Sequence, residues 1–241
     1  MSWEGNVRKV VPYVAGEQPK EQDVIKLNTN ENPYPPAPGV AAAIRGFDCD
    51  VLRRYPDPDV SALVEALAKR HGLDKEQVFA GVGSDDVLAM SFLTFFHSGR
   101  PILFPDITYS FYDVWADLYR IPYEVQPLDD DFGIRKEDYF RENGGIVIAN
   151  PNAPTGVAAD RSVCEEIVRA NPDSVVIIDE AYVDFGGESC VPLIDRYDNL
   201  LVVQTFSKSR SMAGMRIGYA MGSKKLIRYL NDVKFSFNSY T

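Results

Sequence analysis

Two short motifs, Asp179-Glu-Ala-Tyr182 and Thr205-Phe-Ser-Lys208, each close an apolar run, and the second is followed by Arg216. The run Val175 to Ile178 delivers the aspartate, and Leu200 to Val203 leads to the lysine. If both runs are buried parallel strands, the two side chains emerge at one carboxyl edge of a sheet, where folds of this kind bind ligands. A lysine able to form a Schiff base and an acid able to keep a pyridinium nitrogen protonated are the two groups that pyridoxal 5'-phosphate requires. The spacing supplies both.

Other residues extend this reading. Gly81-Val-Gly83-Ser84-Asp85, between a strand and a helix, would turn backbone N–H groups and a positive helix end toward a phosphate, although a tight turn capped by Ser84 fits the same residues. Arg216 could give the phosphate a bidentate partner, with the hydroxyls of Thr205 and Ser207 beside it. The small-residue stretch Ser211 to Gly214 would let the backbone fold back round the ligand. Lys208 reads either as a solvated loop lysine or, after an apolar strand and two hydroxyl residues, as a nucleophile and base. Asp179 reads as a helix cap or as a buried acid needing a cationic partner. Tyr182 could donate to the phenolic oxygen of the ring, and Tyr109 could stack on its face; both could equally be core.

These groups need a scaffold. From Asp59 the positions Val60, Leu63, Val64 and Leu67 recur at helical spacing behind an aspartate cap, with Gly72 as the stop. Val78 to Ala80 is a short strand, and Val87 to Phe96 is apolar nearly all round, as in a helix held between layers. Further runs at Ile102 to Phe104, Ile146 to Ala149, Val175 to Ile178 and Leu200 to Val203 alternate with helical patterns at Tyr109 to Tyr119 and Asp160 to Ala170. That alternation predicts a mostly parallel sheet with helices on both faces, a three-layer αβα domain. Residues 1–39, rich in Pro, Asn and Glu, read as an extended arm over the body; residues 40–222 form the cofactor-binding domain. Residues 223–241 begin a helix whose Leu226, Ile227 and Leu230 face is expected to be exposed.

Composition narrows the classes. With 45% hydrophobic and 25% charged residues over 241 positions the chain can bury a large core. A formal charge of −10 argues against a nucleic-acid or anionic-membrane surface, although it leaves room for local basic pockets. Cys49, Cys164 and Cys190 lack metal-type spacing and are expected to be free thiols in a cytoplasmic protein; no metal site is expected.

With these residues in hand the chain resembles the fold-type I pyridoxal phosphate aminotransferases, and among them the histidinol-phosphate aminotransferases. The resemblance runs through Pro12-Tyr13, Leu27-Asn-Thr-Asn-Glu-Asn-Pro33, Tyr55-Pro-Asp-Pro58, Gly83-Ser-Asp-Asp86, Pro151-Asn-Ala-Pro-Thr-Gly156, Asp179 to Tyr182, and Ser207-Lys208 with Arg216. It implies that Lys208 joins the cofactor, Asp179 meets the pyridinium nitrogen, Tyr182 the ring oxygen and Tyr109 the ring face. Ser84, Asp85, Thr205, Ser207 and Arg216 would surround the phosphate. Tyr55 would reach the cofactor of a neighbouring subunit, implying a homodimer with shared sites. The family has Asn directly before Pro-Thr-Gly, where this chain has Ala153; Asn152 is expected to take over the ring-oxygen contact. Relatives continue into a smaller C-terminal domain with an arginine for the substrate carboxylate, and that domain is expected to be missing here.

The implied reaction moves an amino group between glutamate and a phosphorylated keto acceptor of the imidazole-acetol phosphate type, in histidine synthesis. Decarboxylation of threonine phosphate, or ligand binding without catalysis, would use the same fold.

Overall fold

The computed structural model describes residues 7–11, 16 and 23–237, so the Pro12-Tyr13 landmark lies outside the described residues. The sheet is built from seven strands: β1 (Val78–Val82), β2 (Ile102–Pro105), β3 (Tyr123–Gln126), β4 (Gly145–Ala149), β5 (Val176–Asp179), β6 (Leu200–Thr205) and β7 (Ile217–Gly222). Their spatial order is β1-β7-β6-β5-β4-β2-β3. Neighbours from β6 through β3 are parallel, while β7 runs antiparallel to both β6 and β1.

Every residue of β4, β5 and β6 is buried, which is why these strands read as unbroken apolar runs. Their side chains alternate between two cores. Ile146, Ile148, Val176, Ile178, Leu200 and Val202 pack with Leu67, Ala68, Ile167 and Val168 on one face. Val147, Ala149, Ile177, Leu201 and Val203 pack with Val87, Leu88, Phe92, Tyr112, Trp115, Leu226, Ile227 and Leu230 on the other. The first face is therefore covered by α2 (Ser61–His71) and α5 (Arg161–Ala170). The second is covered by α3 (Gly83–Phe95), α4 (Tyr112–Tyr119) and α6 (Lys224–Val233). This is the expected αβα sandwich. A further helix, α1 (Pro38–Arg45), buries no residue and begins at the expected end of the arm.

Three expectations are corrected. The aspartate that opens α2 is Asp57, not Asp59: its carboxylate accepts from the N–H groups of Asp59 (3.0 Å) and Ser61 (2.7 Å). These two backbone donors hold the Asp57 carboxyl below the usual carboxylate range. At the other end Gly72 does stop the helix, in the left-handed region at φ 71°. The Leu226, Ile227 and Leu230 face of α6 is not exposed, because α3 lies against it; Leu230 is fully buried. Finally, β3 and β7 were not anticipated. The first three residues of β3 are exposed, so it carries no apolar run, and the glycines of β7 disguise a strand as a loop.

Candidate active site

Lys208 lies three residues beyond the carboxyl end of β6, and Asp179 closes the adjacent parallel strand β5. Both line a cavity of about 230 Å³ at that edge. Ser84, Asp85, Tyr109, Tyr182, Thr205, Ser207 and Arg216 line it as well. Nine of the eleven residues singled out from the sequence are thus brought together.

Asp179 forms the buried end. It is 5% exposed and accepts hydrogen bonds from the Tyr112 hydroxyl (2.8 Å) and the Ala181 N–H (3.2 Å). Burial pushes its carboxyl up to about 6, against the lowering pull of these two donors. The same burial, with the facing carboxylate, raises Tyr112 well above an ordinary phenol, so that Tyr112 stays a donor. Tyr112 was missed in the sequence; its place three residues after Tyr109, on the buried face of α4, is the only signal it gives.

The opposite end is an anion cradle. The first N–H groups of α3 have no partner within the helix and carry its positive dipole end. Asp86 accepts from the N–H of Val82, the residue before α3, at 2.9 Å, no side-chain cap is made to the first turn, and Ser84 is part of the cavity wall. The Arg216 guanidinium reaches Asp85 (3.5 Å), the Ser207 hydroxyl (3.5 Å) and the Ala213 carbonyl (3.2 Å). A Cβ on Gly83 would run into that guanidinium, and one on Gly218 would collide with the backbone of Gly83 and Ser84. Glycine at both positions lets β7 and Arg216 approach the helix end. Thr205 is buried, with its hydroxyl bonded to Ser207 Oγ (3.0 Å) and the Ile217 carbonyl (3.3 Å). It orders the cradle from beneath. Tyr109 donates to Asp85 Oδ1 at 3.0 Å, fixing its ring at the cavity wall.

The arm closes the third side. Lys208 Nζ donates to the Thr29 carbonyl (2.9 Å) and lies 5.4 Å from the centre of the Tyr182 ring. Asn30 Nδ2 donates to the Tyr182 hydroxyl at 2.9 Å, which leaves that hydroxyl's own proton available to another acceptor. Asn32 Nδ2 bridges the carbonyls of Lys208 (3.1 Å) and Ser209 (3.3 Å). The polar segment Thr29 to Asn32 was a landmark in the sequence without a role; its contacts span the length of the chain and leave no local pattern.

Two residues are placed elsewhere. Asn152 is 4% exposed and does not line the cavity. Its amide donates to the Ile107 carbonyl (2.8 Å) and Thr155 Oγ1 (3.1 Å), while its oxygen accepts from Thr108 (2.9 Å). Both amide hydrogens are engaged in joining two loops, whereas Tyr182 lines the cavity. Tyr55 is 82% exposed, outside its own chain's cavity, stacked on Phe237 with ring centres 4.7 Å apart. Among the described residues no group of three or more His, Cys, Asp or Glu is placed to hold a metal, and no helix is long and apolar enough to cross a membrane. Cys49, Cys164 and Cys190 are free thiols.

A mostly parallel αβα domain with a lysine and a buried carboxylate at the ends of adjacent strands, facing a helix end and an arginine, defines the large domain of a fold-type I aminotransferase. The chain belongs to the aminotransferase class I and II family, whose model matches residues 22–241. It is 60% identical over 240 residues to the histidinol-phosphate aminotransferase of Lactococcus lactis subsp. cremoris (strain SK11), covering 100% of this chain and 67% of that protein. It is 57% identical over 242 residues to histidinol-phosphate aminotransferase 2 of Dechloromonas aromatica (strain RCB), covering 99% of this chain and 68% of the relative. Among solved structures, the histidinol-phosphate aminotransferase of Sinorhizobium meliloti in complex with pyridoxal-5'-phosphate superposes with a TM-score of 0.78 at 24% identity, over 87% of this chain and 59% of that one. At that identity the likeness is one of fold. The chain thus spans about two thirds of the length of these curated relatives and less of the solved structure.

Proposed function

We propose that this chain is the cofactor-binding part of a pyridoxal phosphate-dependent aminotransferase of histidine biosynthesis. It would exchange an amino group between glutamate and 2-oxoglutarate on one side and histidinol phosphate and imidazole-acetol phosphate on the other. The high identity to proteins of that name supports the substrate class. The observation that carries the chemistry is Asp179, a carboxyl held in a buried cavity wall with no cationic partner in contact among the described residues.

The donor set fits the cofactor. A pyridinium N–H would give Asp179 its missing cation and favour its ionised form. The α3 end, Ser84, Ser207 and Arg216 match a phosphate, and Lys208 stands on the cavity wall with Tyr182 beside it. When bound, pyridoxal phosphate supplies an electron sink for charge developing at the substrate Cα. The chain's own residues do the rest. Asp179 keeps the ring nitrogen protonated, and the Tyr182 hydroxyl, its lone pair occupied by Asn30, turns its proton to the ring oxygen. Lys208 Nζ would be the nucleophile that holds the cofactor and, as a free amine, the base that would move the proton at the substrate Cα. Tyr109 and the arm segment Thr29 to Glu31 exclude water from two sides.

Residues 1–39 serve in this reading as the arm and 40–222 as the cofactor-binding domain of a cytoplasmic homodimer. The exposure of Tyr55 beyond its own cavity supports a role in the neighbouring subunit's site. Nothing at the site favours the decarboxylase or a binding role without turnover. The test is formation of 2-oxoglutarate from glutamate by the full-length protein with imidazole-acetol phosphate as acceptor. Release of carbon dioxide from threonine phosphate in place of that turnover would sink the proposal.

A further inference from the structure

Behind the cavity, on the opposite face of the sheet, lies a buried polar chain that the reaction does not use. Glu180, 2% exposed, accepts from the Cys190 N–H (2.5 Å), Ser189 Oγ (2.7 Å) and Gln204 Nε2 (2.7 Å). Gln204 Oε1 accepts from the Tyr219 hydroxyl at 2.6 Å, and the two residues are cross-strand partners on β6 and β7. With its one proton donated to Gln204, Tyr219 must accept from its other neighbours, Arg210 Nη2 (3.2 Å) and His71 Nε2 (3.1 Å). Every member is partnered, and the directions of donation are those with Glu180 ionised and the His71 Nε2 protonated.

The chain ends at Arg210, within the loop that carries Lys208. Arg210 Nη1 donates to the Thr205 carbonyl (3.1 Å), its guanidinium lies over the rings of Phe206 (5.0 Å) and Tyr219 (5.9 Å), and Asp184 is 3.6 Å away. It therefore grips the residues immediately before Lys208 from a position two residues after it. The Ser211 N–H to Lys208 carbonyl bond (3.0 Å) and the Met212 N–H to Phe206 carbonyl bond (3.0 Å) complete a closed loop with Lys208 at its crest.

We propose that Arg210, anchored through Tyr219 and Gln204 to Glu180, is a positioning residue that sets the direction in which Lys208 leaves β6. This rests on the reading of Lys208 as the residue that joins the cofactor. A misaimed amine would lose its reaction with an aldehyde, while the phosphate cradle, built on α3 and Arg216, would keep its grip. The two effects separate by comparing pyridoxal phosphate with pyridoxamine phosphate, which has no aldehyde for Lys208 to attack.

The experiment titrates both compounds into the cofactor-free full-length protein and its Arg210→Met variant, and follows borohydride-stable attachment by mass. The expected result is a Kd for pyridoxal phosphate raised about tenfold, with slower attachment, and a Kd for pyridoxamine phosphate within about twofold of the original. Tyr219→Phe, which removes one hydroxyl from the link, should give a smaller shift of the same kind. Arg210→Lys, which keeps one donor, should recover part of the loss. If Arg210→Met does not fold, these two variants carry the comparison. Equal weakening of both compounds, or no change in either, would overturn the proposal while leaving the cofactor reading intact. Failure of the unaltered protein to bind either compound would remove the reading and this inference together.

Discussion

Asp179 and Glu180 are adjacent in the chain, both carboxylates, both almost wholly buried, yet they face opposite sides of the sheet and have opposite surroundings. Glu180 meets three donors and ends a chain of fully partnered groups. Asp179 meets two and faces a cavity, where Arg216 is held by contacts of 3.2 to 3.5 Å. Satisfied buried polar groups hold strands and loops in one arrangement. Groups left short of partners at a cavity wall are the ones poised for a ligand. The alternation of β5, carried one residue past its end by the Glu180 N–H bond to the Val203 carbonyl, turns the two side chains to opposite faces and separates the two roles.

The sharpest way to break this comparison is Lys208→Ala. Transamination should fall by several orders of magnitude and borohydride-stable attachment should vanish, because the proton carrier and the point of attachment are lost together. The melting temperature of the cofactor-free protein should barely move, since the amine makes one exposed hydrogen bond with the arm and lies 5.4 Å from the Tyr182 ring. Attachment found on another lysine would refute the assignment.

Asp179→Asn should lower turnover by about two orders of magnitude or more, a neutral partner being unable to keep the ring nitrogen protonated. Its effect on stability should have the opposite sign. A carboxyl whose folded value is raised to about 6 favours folding most below its unfolded value near 3.8, and that advantage is lost as pH rises to 6. The asparagine lacks this penalty. The difference in unfolding free energy between variant and parent, both cofactor-free, should therefore grow with pH over that window, to at most about 3 kcal/mol. A flat difference would mean that Asp179 is not strained by burial.

Glu180→Gln tests the satisfied side. Burial raises this carboxyl to about 7 despite its three donors, so the folded protein loses stability from this group as pH rises from 4.5 to 7. Glutamine removes that dependence but puts an NH₂ in place of an oxygen that accepts from the Cys190 N–H or from Gln204 Nε2, groups that can only donate. A net loss of about 1–3 kcal/mol at pH 5 is expected in denaturant unfolding, with little change in pyridoxamine phosphate affinity.

The smallest effect is expected for Asn152→Ala. It should cost about 1–2 kcal/mol by leaving the Ile107 carbonyl and Thr108 hydroxyl unpartnered, without moving the pH at which the bound cofactor's absorbance changes. A shift in that pH would restore Asn152 as a ring-oxygen donor.

The contrast between these residues also marks what the sequence could convey. Asp179 closes and Lys208 follows a buried parallel strand, and Gly83 follows the buried strand β1; their apolar runs end where the sheet ends, so position along the chain translates into position in space. Asn152 sits in an equally suggestive motif, but the direction of its amide is decided by Ile107 and Thr108, which arrive from a different loop. The α6 pattern declared an apolar face without declaring that α3 would cover it. The network of Gln204, Tyr219 and Arg210 was hidden for the same reason: its members meet only when β7 lies beside β6, and β7, with Gly218 and Gly222, does not look like a strand.

That placement of β7 has a consequence for how the protein is made. Among the described residues β1 is hydrogen-bonded to no strand but β7, with Val78 opposite Met221, so the first strand of this sheet has no partner until the seventh has been made. The anion cradle joins the same two ends of the chain, Ser84 to Arg216. Closing so long a loop comes late because its entropic cost precedes any gain in contacts. A nascent chain halted before Arg216 should hold β2, β4 and β5 in register and yet be unable to retain a phosphate.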